Sequence, residues 1–187
     1  EITVTNDAKQ FTDENLIAYQ AVVFLNTTGD VLNTTQEGAF ERYIQSGKGF
    51  VGVHAATDTE YDWPWYGALV GAYFKNHPAT QKATFSVQKN NHWATKHMPV
   101  TFEHTDEFYN FKSISPTVEV LLTIDESSYE GGQNPDFHPM SWYHEFDGGR
   151  AFYTAMGHTN ETYDNPLFLQ HLWSGIEYAL GVEKNLN

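Results

Sequence analysis

Ser46-Gly47-Lys48-Gly49-Phe50-Val51-Gly52-Val53-His54-Ala55-Ala56-Thr57-Asp58-Thr59-Glu60 reads as the end of a helix, a glycine turn, a short buried strand over residues 50–53, and a polar side chain delivered where that strand stops. In open α/β sheets, ligands bind outside the carboxyl ends of the strands, so His54 stands at the usual position for a site. Gly52 removes a side chain where the backbone must turn or approach closely, and Ala55 and Ala56 let a following segment pack tightly. The shape is that of a nucleophile elbow without its nucleophile: the chain has no cysteine and no Gly-x-Ser-x-Gly. The plain alternative is that His54 simply closes a core strand.

Upstream, residues 2–5 alternate apolar and polar like a half-buried strand, and Thr12-Asp13-Glu14-Asn15 offers an N-cap for a short helix ending near Tyr19. Ala21–Leu25 is a continuous β-branched and aromatic run, the mark of a strand covered on both faces. Thr34-Thr35-Gln36-Glu37 is a capping-box pattern, and Phe40, Tyr43 and Ile44 share one face of the helix that runs to Gly47. Strands alternating with helices predict an α/β fold with a mainly parallel, doubly wound sheet.

Downstream, Tyr61-Asp62-Trp63-Pro64-Trp65-Tyr66 concentrates four aromatics beside an acid. Residues 83–88 and 118–124 read as strands. Residues 140–146 and 151–155, joined through Asp147-Gly148-Gly149, predict a C-terminal hairpin. The last helix opens at Asp164-Asn165-Pro166 and ends at Gly181, with His171 on its apolar stripe and therefore structural. No repeat or linker interrupts the chain, so residues 1–187 read as a single domain.

Composition narrows the partners. Ten Lys and Arg against 24 Asp and Glu give a net charge of −14. That field repels nucleic acid and anionic lipid, so neither nucleic acid nor membrane is expected as a partner. No apolar run approaches the ~20 residues needed to span a bilayer. Three sequons, at Asn26, Asn33 and Asn160, mark candidate glycosylation sites and favour a secreted or periplasmic protein, with a cytoplasmic one equally free of cysteine.

Nine histidines are many for this length, and their placement matters most. His54 and His158 end strands, while His77 and His138 each precede a proline in a loop. Converging imidazoles act as general acid and base or hold a divalent metal, so all four are metal candidates, although no His-x-x-x-His or His-Glu-x-x-His spacing occurs. Asp106 and Glu107 are sequence neighbours that point to opposite faces of a strand, which suits orienting a histidine better than forming a glycosidase pair. Asp58, Glu60, Trp63, Trp65 and Trp142, with His77 and His138, are candidates for binding a sugar, whose apolar ring face suits an aromatic plane and whose hydroxyls suit carboxylates. Arg150, at the hairpin turn, is the candidate electrophilic support.

These motifs together resemble the trehalose-utilisation (ThuA-like) family. The resemblance rests on Gly47 to Asp58 as quoted, Val70-Gly71-Ala72-Tyr73-Phe74 with His77-Pro78, Asp106-Glu107-Phe108-Tyr109, His138-Pro139-Met140-Ser141-Trp142, and Gly149-Arg150-Ala151-Phe152-Tyr153-Thr154-Ala155-Met156-Gly157-His158. It implies a flavodoxin-like three-layer α/β/α sandwich of the class I glutamine amidotransferase type, in which His54 takes the cysteine position, so amidotransferase chemistry is not expected. It also implies a sugar or glycan ligand, in a family found beside oxidoreductases that make 3-keto sugars. The activity expected is histidine acid/base or metal-assisted isomerisation, elimination or hydrolysis of a sugar or keto-sugar; the alternative is a non-catalytic carbohydrate-binding or assembly domain. Family members begin with a further strand and helix, so here the first strand and helix are expected to be missing, with another chain or an N-terminal segment completing the sheet.

Overall fold

The computed structural model describes residues 1–182. The strands are β1 (Ala21–Leu25), β2 (Gly49–Val53), β3 (Tyr73–Asn76), β4 (Gln81–Val87), β5 (Thr101–Asp106), β6 (Asn110–Lys112), β7 (Glu119–Ile124), β8 (Pro139–Phe146) and β9 (Gly149–Thr154). The helices are α1 (Asp13–Leu16), α2 (Thr34–Gln45), α3 (Pro64–Val70) and α4 (Pro166–Ala179).

Seven strands form one sheet in the order β1-β2-β9-β8-β7-β4-β5, and β3 pairs with β6 in a separate ribbon. β1, β2 and β9 run parallel, and the ladders from β9 outward to β5 are antiparallel. The α/β class and the C-terminal hairpin match the sequence reading, with the parallel part confined to three strands. The hairpin turns at Asp147 and Gly148, both at positive φ (47° and 91°), as a tight two-residue turn requires.

Alternation along the parallel strands sends Phe24, Phe50 and Tyr153 to one face and Val51 and Phe152 to the other. On the first face Phe40 of α2 stacks on Phe24 and meets Phe50 edge-on, and Tyr66 of α3 packs against both. On the second, α4 lies so close to β9 that the Phe152 ring fills the space a side chain at Gly175 would need. The two faces make the three-layer sandwich.

The caps follow the chemistry of their residues. Thr12 accepts from the Asn15 amide at the start of α1. The capping box of α2 sits one residue earlier than the sequence pattern suggests: Asn33 caps, and Gln36 reaches back to the Asn33 amide at 2.8 Å. Residues 2–5 form no strand; Ile2 and Val4 are 83% and 91% exposed. Alternation alone does not make a strand, because the backbone groups need a ladder partner, and among the described residues β1 pairs with β2 alone and residues 2–5 with no strand. No helix among the described residues is long and apolar enough to cross a membrane.

His171 is structural, as its stripe position suggests. Wholly buried, it meets Ala94 O through Nδ1 at 2.8 Å and Ser141 Oγ through Nε2 at 3.0 Å. Burial holds it near a pKa of about 4 against an ordinary value of 6.5. An unfolded chain binds a proton there that the native state refuses, so the stability this histidine contributes is complete above about pH 6.5 and is lost as pH falls through about 4. Chemical denaturation between pH 7 and pH 4 should show that loss, approaching about 3 kcal/mol for this group at its limit, with a shallower slope in His171→Gln. An unchanged slope in the variant would contradict this account.

Candidate functional site

The parallel strands deliver His54. After Val53 the chain leaves β2 with His54 at φ +46°, a left-handed conformation uncommon for a residue with a side chain, and enters a 3-10 turn over His54–Asp58. Two groups from β9 and the residue after it hold this elbow. Tyr153 Oη donates to His54 O at 2.7 Å and also meets Thr57 Oγ1 at 3.1 Å. The His54 Nδ1–H donates to Ala155 O at 2.7 Å. Gly52 matters here because a side chain on it would press on the Tyr153 ring and the Ala56 methyl at 3.0–3.1 Å.

A carbonyl can only accept, so the bond to Ala155 places the proton on Nδ1 and leaves the lone pair on Nε2. His54 is 2% exposed, and its Nε2 has no hydrogen-bond partner. Burial pushes its pKa down, opposed by the Ala155 carbonyl and the nearby carboxylates, so the ring is held neutral.

Glu107 faces that lone pair. Its Oε1 lies 3.5 Å from His54 Nε2 and 3.5 Å from His158 Nδ1, while its Oε2 lies 2.9 Å from His77 Nδ1. His158 and His77 have side chains 45% and 41% exposed, so they form the outer edge of a cluster whose floor is His54 and Glu107. Tyr109 walls it, its ring 4.1 Å from that of His54 and 4.3 Å from that of Phe74. Burial, then the Glu107 and Asp58 carboxylates, push the Tyr109 phenol up, so it stays protonated.

Asp106 belongs to the foundation. It is fully buried at the end of β5 and accepts from the backbone amides of Gly157 (2.7 Å), Thr159 (3.0 Å) and Glu107 (3.0 Å) and from Thr162 Oγ1 (3.0 Å). Burial works to raise its pKa, but His104 and those amide donors outweigh it and hold the carboxyl at about 2. It fixes both the loop that carries His158 and the backbone of Glu107.

The structure thus brings His54, His77, Glu107 and His158 together, with Asp106 behind them and Asp58 nearby, receiving the Tyr61 hydroxyl at 2.6 Å. Other expected residues lie elsewhere, each for a physical reason. Trp142 is 1% exposed, stacks on Tyr153 and donates to Val70 O at the end of α3, so it packs the core. Trp63 and Trp65 stack on each other, bonded to Glu41 and Asp147. Glu60 is buried and accepts from the Val31 and Leu32 amides, so it pins a loop. His138 meets Tyr109 O and Glu126 Oε1, each at 2.8 Å, so both ring nitrogens are engaged away from the cluster. Arg150 pairs with Gly49 in the β2–β9 register, at the opposite strand ends from His54, and its guanidinium approaches Tyr178 O.

The three sequons lie on the surface. Asn26 donates to Gly157 O, Asn33 caps α2, and Asn160 is exposed in a 3-10 turn. Sequence reasoning did not single out Tyr109, Tyr153 or Phe74 as site residues. The available signal for Tyr109 is its place in the sequence, two residues beyond Glu107 in the short connection between β5 and β6.

The profile of the trehalose utilisation (ThuA) family matches residues 1–179. The chain belongs to that family. A ThuA-like protein of Bacteroides uniformis superposes with a TM-score of 0.80 at 26% identity, over 94% of this chain and 75% of that one. A ThuA-like protein of Parabacteroides merdae gives 0.75 at 21% identity, over 93% and 74%. A β-galactosidase of Bacillus circulans sp. alkalophilus gives 0.58 at 13% identity, over 89% of this chain and 23% of that one, a likeness of fold alone. Among curated proteins no relative matches. The fold is thus flavodoxin-like, of the glutamine amidotransferase type, in a protein related to trehalose utilisation.

If Asp106 holds the His158 loop as described, Asp106→Asn should lower stability at pH 7 by about 2 kcal/mol and abolish the part of acid unfolding that falls between about pH 4 and pH 2. The sign follows from a native pKa below the ordinary 3.8: the contribution is present above that value and is lost as pH falls through about 2. Hydrogen exchange at the Gly157 and Thr159 amides should quicken in the same variant. Protected amides with an unchanged denaturation midpoint would refute the assignment.

Proposed function

We propose that the His54–His77–Glu107–His158 cluster is a proton-transfer centre acting on a sugar, and that its reaction class is proton abstraction leading to isomerisation or elimination. The observation that carries this reading is the buried lone pair of His54 Nε2, which has no hydrogen-bond partner and stands beside Glu107 Oε1 beneath two half-exposed imidazoles. A neutral substrate suits a chain of net charge −14 better than an anionic one. His158 and His77 are placed to meet the substrate and exchange a proton with it, Glu107 couples the imidazoles, and His54 is fixed as a base by its bond to Ala155.

Hydrolysis by two carboxylates fits less well, since the Asp106 oxygens are taken by backbone and threonine donors and cannot pair with Glu107 as acid or nucleophile. Sugars oxidised to a ketone at a ring carbon fit best, because a carbonyl acidifies the neighbouring C–H. A second reading, a carbohydrate-binding or assembly domain without turnover, draws on the closed state of the floor, where His54 Nε2 has no solvent contact.

The test is solvent deuterium incorporation, followed by proton NMR, beside the carbonyl of 3-keto disaccharides in D2O. The intact protein should catalyse exchange, and Glu107→Gln or His158→Gln should slow it by about 10²–10⁴-fold with the fold retained. Sugar binding without exchange would establish the binding-domain reading instead. Neither binding nor exchange across keto and parent disaccharides would remove both.

A further inference from the structure

We infer that His54, Glu107 and His158 form a binding site for one divalent first-row transition ion of the zinc type. One ligand atom from each of the three residues lies within 4.8 Å of the other two. In detail, Glu107 Oε1 is 3.5 Å from both His54 Nε2 and His158 Nδ1. That is too long for a hydrogen bond, whose N–H···O distance runs to about 3.2 Å. It is the right spacing for two ligands on a common ion, since bonds of about 2.0–2.2 Å set neighbouring ligand atoms about 3–3.5 Å apart. The remaining pair of ligand atoms lies within 4.8 Å, and His158, at 45% side-chain exposure, is the ligand least enclosed by its neighbours.

Three further observations point the same way. His54 Nε2 is buried with no partner, and leaving such an atom unsatisfied has a free-energy cost that a bound cation would remove. The opposite nitrogen of the same ring donates to Ala155 O, which is how a metal-bound histidine is normally oriented, its remaining N–H on a backbone carbonyl. Glu107 has its second oxygen, Oε2, on His77 Nδ1 at 2.9 Å, an outer partner that turns Oε1 toward the two imidazoles.

The donor set selects the ion. Two imidazoles and one carboxylate favour zinc, iron, cobalt or manganese, whereas magnesium and calcium prefer oxygen ligands throughout. Three protein ligands with one exposed edge leave a coordination position open, the pattern of catalytic rather than structural sites. An ion there supplies Lewis-acid polarisation of a sugar oxygen. The site stands on geometry alone; an ion on these atoms occupies the lone pairs of His54 and His158, which leaves His77 as the imidazole of the cluster free to exchange a proton.

Binding is measured without substrate, so a failure to bind the ion and a failure to catalyse exchange are read separately. The purified protein, stripped with a chelator, is titrated with ZnCl₂ by calorimetry and with CoCl₂ by visible absorption. The expected result is one ion per chain, a cobalt d–d band of a site with mixed nitrogen and oxygen ligands, and a raised melting temperature with zinc but not with MgCl₂. His158→Ala removes an exposed ligand without disturbing the core and should weaken zinc at least tenfold; Glu107→Gln should do the same and shift the cobalt band, with circular dichroism verifying the fold. Absence of stoichiometric binding would overturn the assignment. So would binding of full affinity in both variants, which would place the ion elsewhere on the chain.

Discussion

A single buried carboxylate holds the working end of this molecule together. Asp106 terminates β5, the strand farthest from β1, yet its oxygens are filled by amides from Gly157 and Thr159, which follow β9. The two halves of the sheet are thereby tied across its end by charge-assisted hydrogen bonds, which are stronger than neutral ones and most effective where water is excluded. Glu107 receives its place from the same group, through its own amide. The cluster is therefore only as well defined as this one ion.

A second constraint meets the first at His54. The parallel half fixes that imidazole through its backbone, with the Tyr153 hydroxyl on its carbonyl and the Ala155 carbonyl on its ring. The antiparallel half brings Glu107 and Tyr109. A site assembled from both halves needs no flexible lid to define its floor, and the half-exposed residues, His77 and His158, are the ones left free to adjust. This division between a fixed floor and an adjustable edge suits a centre that must hold one proton state while admitting a substrate.

Much of this was legible from residues alone, because the signals are local. The glycine turn, the run into Val53 and the residue after it give β2 and the elbow; Asp147-Gly148 gives the hairpin; Asn165-Pro166 starts α4. What was not legible depends on partners distant in sequence. Trp142 looks like a sugar platform until β9 supplies Tyr153 and α3 supplies a carbonyl for its indole. Arg150 looks catalytic until the parallel register places it at the wrong ends of the strands. Residues 2–5 carry a strand pattern without a ladder to join. Asp106 and Glu107 were both picked out, but only the fold separates the foundation from the site, since their difference lies in which backbone amides surround each carboxylate.

The left-handed backbone at His54 also restricts how this position can vary over evolutionary time. At φ +46° most side chains are strained, and glycine, asparagine, aspartate and histidine are the types that adopt it most readily. Glycine would abandon chemistry altogether, and asparagine would offer an amide with no basic lone pair. Aspartate would place a second carboxylate against Glu107. Among the types that adopt this backbone most readily, histidine alone provides a neutral, basic nitrogen. The backbone, rather than the reaction, narrows the choice first.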